Sequence, residues 1–341
     1  MKAVILVGGE GTRMRPLTYA MPKQMLPIVG TPMLERVMAN LGRHGVTEAV
    51  LSLGYLPDRF LEAYPDGVIA GLPVKYAVEP ERLDTAGAIR FAALEAGIDD
   101  TFVVINGDVI TNLDLTRLVA FHHDHHAQAT IALHPVEDPS RFGVVPTDES
   151  GRVIAFVEKP NREDAPSNEI NAGTYILEPS VLNHIEPDVP VSVERVTFPQ
   201  LADHGSLYAL ADDGYWLDTG TPQAYLDVHL DVLNGLLPIE LSPEVNEGSW
   251  CHGAARVASS ASLLSATVDR DCVVGENVVI ERSVLLPGAV IEHGAIIRDS
   301  VVGPNAHVGA GATLDETTVI GRGEVIAAGS RLVNERVGGP Q

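Results

Sequence analysis

The chain has 341 residues, 45% of them apolar, enough for a large buried core and in keeping with two domains. Its 46 acidic against 23 basic residues give a formal charge of −23, a field that repels nucleic-acid phosphate and anionic membranes, so neither is expected as a partner. No apolar run approaches the ~20 residues a membrane helix needs, and Cys251 and Cys272 are not in CxxC spacing, so a cytoplasmic location is expected.

The first two-thirds alternates β-rich runs with helical patterns. Residues 3–7 form an apolar strand run that ends in a glycine turn at Gly8-Gly9. Residues 32–44 have helical spacing, with Thr31 placed as N-cap and Pro32 at the first helical position. Residues 49–53 read as a strand, 86–96 as a helix and 101–105 as a strand. Residues 226–233 read as a closing helix, started by Thr221 and Pro222 and ended by Gly235. This alternation predicts an α/β domain with a Rossmann-like, mostly parallel sheet and helices on both faces, with ligands beyond the carboxyl ends of its strands.

Residues 236–250 are rich in Pro, Glu, Ser and Asn and read as a linker. Beyond them Val278, Val284, Val290, Ile296, Val302, Val308, Leu314, Ile320 and Ile326 are spaced six apart. A period of six fits neither a lone helix nor a simple strand; it predicts a short hexapeptide-repeat parallel β-helix. The expected organisation is a catalytic domain over 1–235, a linker over 236–250 and a β-helix domain over 251–341.

Arginine appears 19 times and lysine four times, at Lys2, Lys23, Lys75 and Lys159. Lysine acts on phosphate as a compact point charge, so each of the four invites a question. The loop Gly8-Gly9-Glu10-Gly11-Thr12-Arg13-Met14-Arg15 follows the first strand, and glycine loops there present backbone N–H groups to phosphate. Met14 stands where a dinucleotide fingerprint has its third glycine, and no Gly-Lys-Ser/Thr follows, so this is neither that fingerprint nor a Walker loop. Arg13, Arg15 and Lys23 could together neutralise a triphosphate; a basic surface loop is the alternative. Asp108 lies just beyond the carboxyl end of the strand over 101–105. A carboxylate there can hold Mg²⁺ beside phosphates, or act as a turn residue or cap, and Asp218 has the same two readings. His122-His123-Asp124-His125-His126 reads as a solvated helix end rather than a metal site.

The segment from Gly8 to Thr18, with Met21-Pro22-Lys23-Gln24-Met25-Leu26-Pro27, closely resembles the sugar-1-phosphate nucleotidylyltransferases. The resemblance continues at Asn106-Gly107-Asp108, Phe156-Val157-Glu158-Lys159-Pro160, Ile170-Asn171-Ala172-Gly173 and Trp216-Leu217-Asp218-Thr219-Gly220. It covers nearly the whole chain, and the nearest branch looks like bacterial mannose-1-phosphate guanylyltransferases, whose β-helix is left-handed. It implies a transfer of a nucleotidyl group from a nucleoside triphosphate to a sugar-1-phosphate, with Asp108 and Asp218 binding Mg²⁺ together. It implies nucleotide contacts from Gly8, Gly9, Gly11, Thr12, Arg13, Glu79, Thr85 and Asp108. Arg13 and Lys23 act at the reacting phosphates, Lys159 on the sugar phosphate, and Glu158 and Asn171 on sugar hydroxyls, while Gly143 lets backbone approach the sugar. Relatives commonly carry Leu-Gly-Thr-Ala-Gly near the base pocket, where this chain has Leu83-Asp84-Thr85-Ala86-Gly87.

The ionised carboxylate of Glu79 offers two acceptors to the adjacent N1–H and N2 donors of guanine, so GTP is the expected nucleotide. Mannose-1-phosphate is the expected sugar. Glucose-1-phosphate or a cyclitol phosphate such as valienol-1-phosphate, with ATP or dTTP, are alternatives within the same reaction. The tail is expected to drive homo-oligomerisation. Two readings of another class are an additional acyltransferase activity in the β-helix and a non-catalytic sugar-nucleotide sensor; intact Arg13, Lys23, Asp108 and Asp218 speak against the sensor.

Overall fold

The computed structural model describes residues 1–242, 245–246 and 248–340, so residues 243, 244 and 247 of the expected linker, and residue 341, lie outside the described residues. It divides into two compact units that do not follow chain order: one is Met1–Gly9 with Leu34–Trp216, the other Glu10–Met33 with residues 217–340.

The first unit is built on a 10-stranded sheet. Four strands, Phe102–Asn106, Lys2–Leu6, Glu48–Leu53 and Leu72–Val78, lie side by side in that order and are parallel. Ala3, Val4 and Ile5 are successive and all fully buried, which requires cover on both faces of the sheet. The helix Asp84–Glu95 supplies part of that cover, its Ala86, Ile89, Ala92 and Ala93 packing with Val4, Val50 and Val104. The other half of the sheet is mixed, with Leu207–Ala211 parallel to Ala129–Pro135 and the remaining pairs antiparallel. Glu169–Leu177 runs antiparallel to both Phe102–Asn106 and Ala129–Pro135, and Gly143–Val144 is antiparallel to Val157–Glu158. This reversal brings the amino-terminal half of Glu169–Leu177 to the edge where the parallel strands end.

In the second unit Pro27–Ile28 and Thr31–Pro32 pair as a hairpin. Its two turn residues, Val29 (φ 43) and Gly30 (φ 76), are both left-handed, as a type I′ turn requires. Thr31 and Pro32 are therefore strand residues, not the start of a helix, and the helix begins one residue later at Met33–Arg43. Any side chain at Gly30 would collide with the ring of Trp250. The helix Pro222–Leu233 is capped as expected, the Thr221 side chain accepting from Ala224 N–H and Gly235 (φ 75) following its end.

Short strands from Trp250–Cys251 to Arg336–Val337 stack into three parallel sheets, giving a three-sided β-helix. The hexad expectation needs correction in register. The first coils are 17 residues long, so Ile291 pairs with Val308 and Ile297 with Leu314, while later partners such as Val302 and Ile320 lie 18 apart. A side of five rather than six residues shifts the inward set by one. Val284, Val290 and Ile296 therefore fall outside the core row, and Leu285, Ile291 and Ile297 fill it beside Val302, Val308, Leu314, Ile320 and Ile326.

Candidate active site

In the first unit the ends of the parallel strands carry the predicted residues. Gly8 and Gly9 follow Lys2–Leu6, Glu79 follows Leu72–Val78, and Asp108 lies in the turn between Phe102–Asn106 and Val109–Thr111. Gly8 and Gly54 approach closely: a Cβ at Gly54 would meet Gly8 O at 3.1 Å, and one at Gly8 would meet Glu79 Oε1 at 3.3 Å. Glu79 is held at both oxygens, accepting from Ser52 Oγ at 3.0 Å and from Leu83 N–H at 3.1 Å. A carboxylate has about four lone-pair sites, so each oxygen keeps capacity for one further donor. Sequence reasoning missed Ser52; a lone serine within the apolar run of residues 49–53 was the available signal, and the structure shows it fully buried.

Asp84 has φ 58, the left-handed conformation that favours glycine, and its Oδ1 accepts from Thr85 N–H at 2.8 Å. The Leu-Asp-Thr-Ala-Gly departure is thus accommodated: aspartate tolerates this conformation through a local side-chain bond. Thr85 is engaged inside the protein, donating to Glu194 Oε2 at 2.8 Å and accepting from Val193 N–H at 2.8 Å.

Gly107 lies against the first strand, where a Cβ would meet Val7 Cγ1 at 2.6 Å. Gly173 (φ 73) lies against Asn106, where a Cβ would meet Nδ2 at 2.6 Å. The two motifs that frame Asp108 and Asn171 therefore interlock through small residues. Asn171 Oδ1 accepts from Gly173 N–H and its Nδ2 donates to Tyr175 OH, each at 2.9 Å. The Tyr175 hydroxyl is fully buried, which raises its pKa, with Glu194 adding to the effect. Gly143 stands opposite Glu158 in register, and a Cβ there would meet the Phe156 ring at 2.6 Å. Lys159, in left-handed conformation (φ 49), pairs with Glu158 at 3.1 Å and is well exposed. Trp216, also unassigned from sequence, donates to Ala172 O at 2.8 Å and stacks on His134 with ring centroids 5.4 Å apart.

Lys2 and Lys75 have structural work. Both pair with Glu48, at 3.8 and 3.1 Å, and both donate to carbonyls at the end of Asp84–Glu95, where cations favour the helix dipole. The histidine cluster also differs from expectation: His122 is buried, its ring contacting Thr130 Oγ1 at 2.8 Å and Glu178 Oε1 at 3.1 Å. Burial lowers the His122 pKa, outweighing the Glu178 carboxylate that raises it.

In the second unit Gly11 (φ 61) opens the short turn Thr12–Met14. Its carbonyl accepts from Thr18 Oγ1 at 2.8 Å, and a Cβ on it would sit 3.5 Å from Lys23 Cβ. The two arginines of this loop divide. Arg15 is engaged with Glu10 at 3.0 Å and lies over the Tyr19 ring, whereas Arg13 is more than half exposed with Nη2 3.9 Å from Asp218 Oδ2. A side chain at Gly220 would strike the Arg13 guanidinium. Thr219 is buried and donates to Met33 Sδ at 3.1 Å, anchoring the residue after Asp218.

No cluster of three or more His, Cys, Asp or Glu that could hold a metal is present among the described residues. The carboxylates of Asp108, in the first unit, and Asp218, in the second, are hard oxygen donors of the kind that suits Mg²⁺.

Residues 2–235 match the nucleotidyl transferase family, and residues 245–340 match the GMPPB C-terminal domain. The chain is 40% identical over 268 residues to a mannose-1-phosphate guanylyltransferase of Mycobacterium tuberculosis, covering 78% of this chain and 74% of that protein. It is 39% identical over 288 residues to a probable mannose-1-phosphate guanylyltransferase 2 of Arabidopsis thaliana, covering 82% and 76%. A mannose-1-phosphate guanyltransferase of Aspergillus oryzae is 40% identical over 232 residues, covering 66% and 62%.

Proposed function

The chain belongs to the nucleotidyl transferase family, and from that premise we propose that it transfers the guanylyl group of GTP to mannose-1-phosphate, releasing pyrophosphate and forming GDP-mannose. The substrates named for its relatives support this choice. The observation that carries the base choice is the position of Glu79, oriented through both oxygens at the carboxyl edge of the sheet beside Gly8.

The reaction needs no protein nucleophile. The phosphate oxygen of the sugar phosphate is already anionic and attacks the α-phosphorus in line, so the protein positions groups and neutralises charge. Asp108 and Asp218 would hold Mg²⁺, which when bound neutralises phosphate charge. Arg13, whose Nη2 lies 3.9 Å from Asp218 Oδ2, stabilises the pyrophosphate that leaves. Lys23 contacts the reacting phosphates, and Gly8, Gly9, Gly11 and Thr12 bring backbone close to the nucleotide. Lys159 holds the sugar phosphate; Glu158 and Asn171 receive sugar hydroxyls, with Gly143 leaving room. Because Thr85 is committed to Glu194 and Val193, its contribution is to fix the base-pocket segment 83–87.

The β-helix would join copies of the chain into a homo-oligomer. Its supporting feature is the register Val273, Val290, His307, Val325, an outward row whose Val325 is 72% exposed. No described helix is long and apolar enough to cross a membrane; cytoplasmic action fits the substrates. Pyrophosphate release measured over a grid of nucleoside triphosphates and sugar phosphates tests the reading; absence of release from every pair refutes it.

A further inference from the structure

The segment that carries Arg13 belongs to the same compact unit as the β-helix, and specific bonds join the two. Arg336, on the last strand of the β-helix, donates from Nη1 to the carbonyl of Arg13 and to that of Arg15 at 2.9 Å. One of these carbonyls lies within the turn Thr12–Met14 and the other on the residue that follows it; the turn's own bonds are Met14 N–H to Gly11 O and Arg15 N–H to Thr12 O. Pro16, the next residue, lies against the same coils: a Cβ at Gly321 would be 3.2 Å from Pro16 Cβ, and one at Gly338 3.0 Å. The backbone that aims Arg13 is therefore fastened from the far end of the chain.

We propose that Arg336 is a positioning residue for nucleotidyl transfer: by binding both carbonyls it fixes the turn from which Arg13 reaches toward Asp218. This gives the last coil of the β-helix a part in catalysis within one copy of the chain, and it rests on the reading that Arg13 acts on the reacting phosphates. A cationic donor is suited to the place for a physical reason. One ionised nitrogen can satisfy two carbonyls at once with charge-assisted bonds, and its positive charge adds to that of Arg13 where phosphate is received. A misplacement of about 1 Å in a reacting or charge-stabilising group can cost about a hundredfold in rate.

The test uses the full chain. Arg336→Ala, Arg336→Lys and, as a control on a neighbouring strand, Arg331→Ala are compared with wild type for kcat, for KM of each substrate, for thermal midpoint and for tryptic cleavage at the Arg13–Met14 bond. Arg336→Ala is expected to lower kcat by about tenfold or more, with KM for the sugar phosphate little changed, and to speed cleavage after Arg13. Lysine has an ammonium that can bridge the same carbonyls, so Arg336→Lys should recover most of the loss, while Arg331→Ala should behave as wild type. If Arg336→Ala does not fold, Arg336→Gln, which is shorter and uncharged but keeps an amide NH₂, takes its place. An active wild type whose Arg336→Ala form keeps its kcat, or whose loss Arg336→Lys does not repair, overturns the assignment of Arg336 alone. A wild type with no transfer activity overturns instead the reading on which it rests.

Discussion

Ser52 donates its hydroxyl to Glu79 Oε1 at 3.0 Å, and this bond from one parallel strand to the end of the next fixes which way the carboxylate faces. With Leu83 N–H on the other oxygen, Glu79 is a preset pair of acceptors. Guanine offers two adjacent donors to such a pair, whereas uracil and thymine offer one donor between carbonyls. A mismatched buried polar contact costs about 1–3 kcal/mol, up to roughly a hundredfold in specificity. Glu79→Gln should lose the preference for GTP, and Ser52→Ala should weaken it to a smaller degree. Relative kcat/KM for GTP, ATP, UTP and dTTP decides the point; an unchanged ranking in Glu79→Gln would remove Glu79 from base reading.

The second prediction concerns the metal. If Asp108 and Asp218 hold Mg²⁺ as proposed, with phosphate and water completing its shell, the ion should be exchangeable and activity should vanish in excess EDTA and return with Mg²⁺ or Mn²⁺. Asp108→Asn and Asp218→Asn should each lower kcat by orders of magnitude while circular dichroism stays native. Full turnover in EDTA would contradict a metal-dependent step.

Much of this was legible because its physical signals are local. A strand run ending in glycines, the alternation of β and α patterns, and Thr221-Pro222 before Pro222–Leu233 each state their structure within a few residues. What was not legible depends on partners far along the chain. The I′ hairpin at Val29-Gly30 has a β-branched residue where Asn or Gly is usual, and its glycine is explained only by Trp250. The hexad count failed at Val284, Val290 and Ile296 because one side of a coil can hold five residues, a choice visible only in stacking such as Leu285 on Val302 and Ile291 on Val308. Among the site residues, Asp108 and the glycine loop were marked by their position at strand ends, while Glu79 came from the resemblance and its carboxylate chemistry. The commitments of Thr85 to Glu194, and of Arg336 to the Arg13 turn, involve separations no motif encodes.

A third prediction follows from His122. Burial lowers its pKa, so the folded chain holds the ring's neutral form to lower pH than the unfolded chain does. Stability from this group is complete above the ordinary histidine value of 6.5 and is lost as pH falls below it toward the depressed folded value. The thermal midpoint should therefore drop between about pH 7.5 and 5.5. His122→Gln, which keeps a polar group toward Thr130 and Glu178, should show a smaller drop. An equal drop in both proteins would assign the pH dependence to other groups.

A fourth prediction concerns assembly. Val325 is 72% exposed in an outward row with Val290 and His307. A charge placed there would oppose burial against a second copy while leaving the inward core untouched. Val325→Glu should lower the mass seen by light scattering and leave the thermal transition cooperative. Unchanged mass would move the oligomer contact elsewhere or remove it.

The most direct measurement is the reaction itself: purified chain with GTP, mannose-1-phosphate and Mg²⁺, followed by pyrophosphate release and by mass spectrometry of the nucleotide product. The account predicts GDP-mannose and pyrophosphate in equal amounts, with kcat/KM higher than for ATP, UTP or dTTP and for glucose-1-phosphate. No GDP-mannose, or a clear preference for another nucleotide and sugar phosphate, would contradict it.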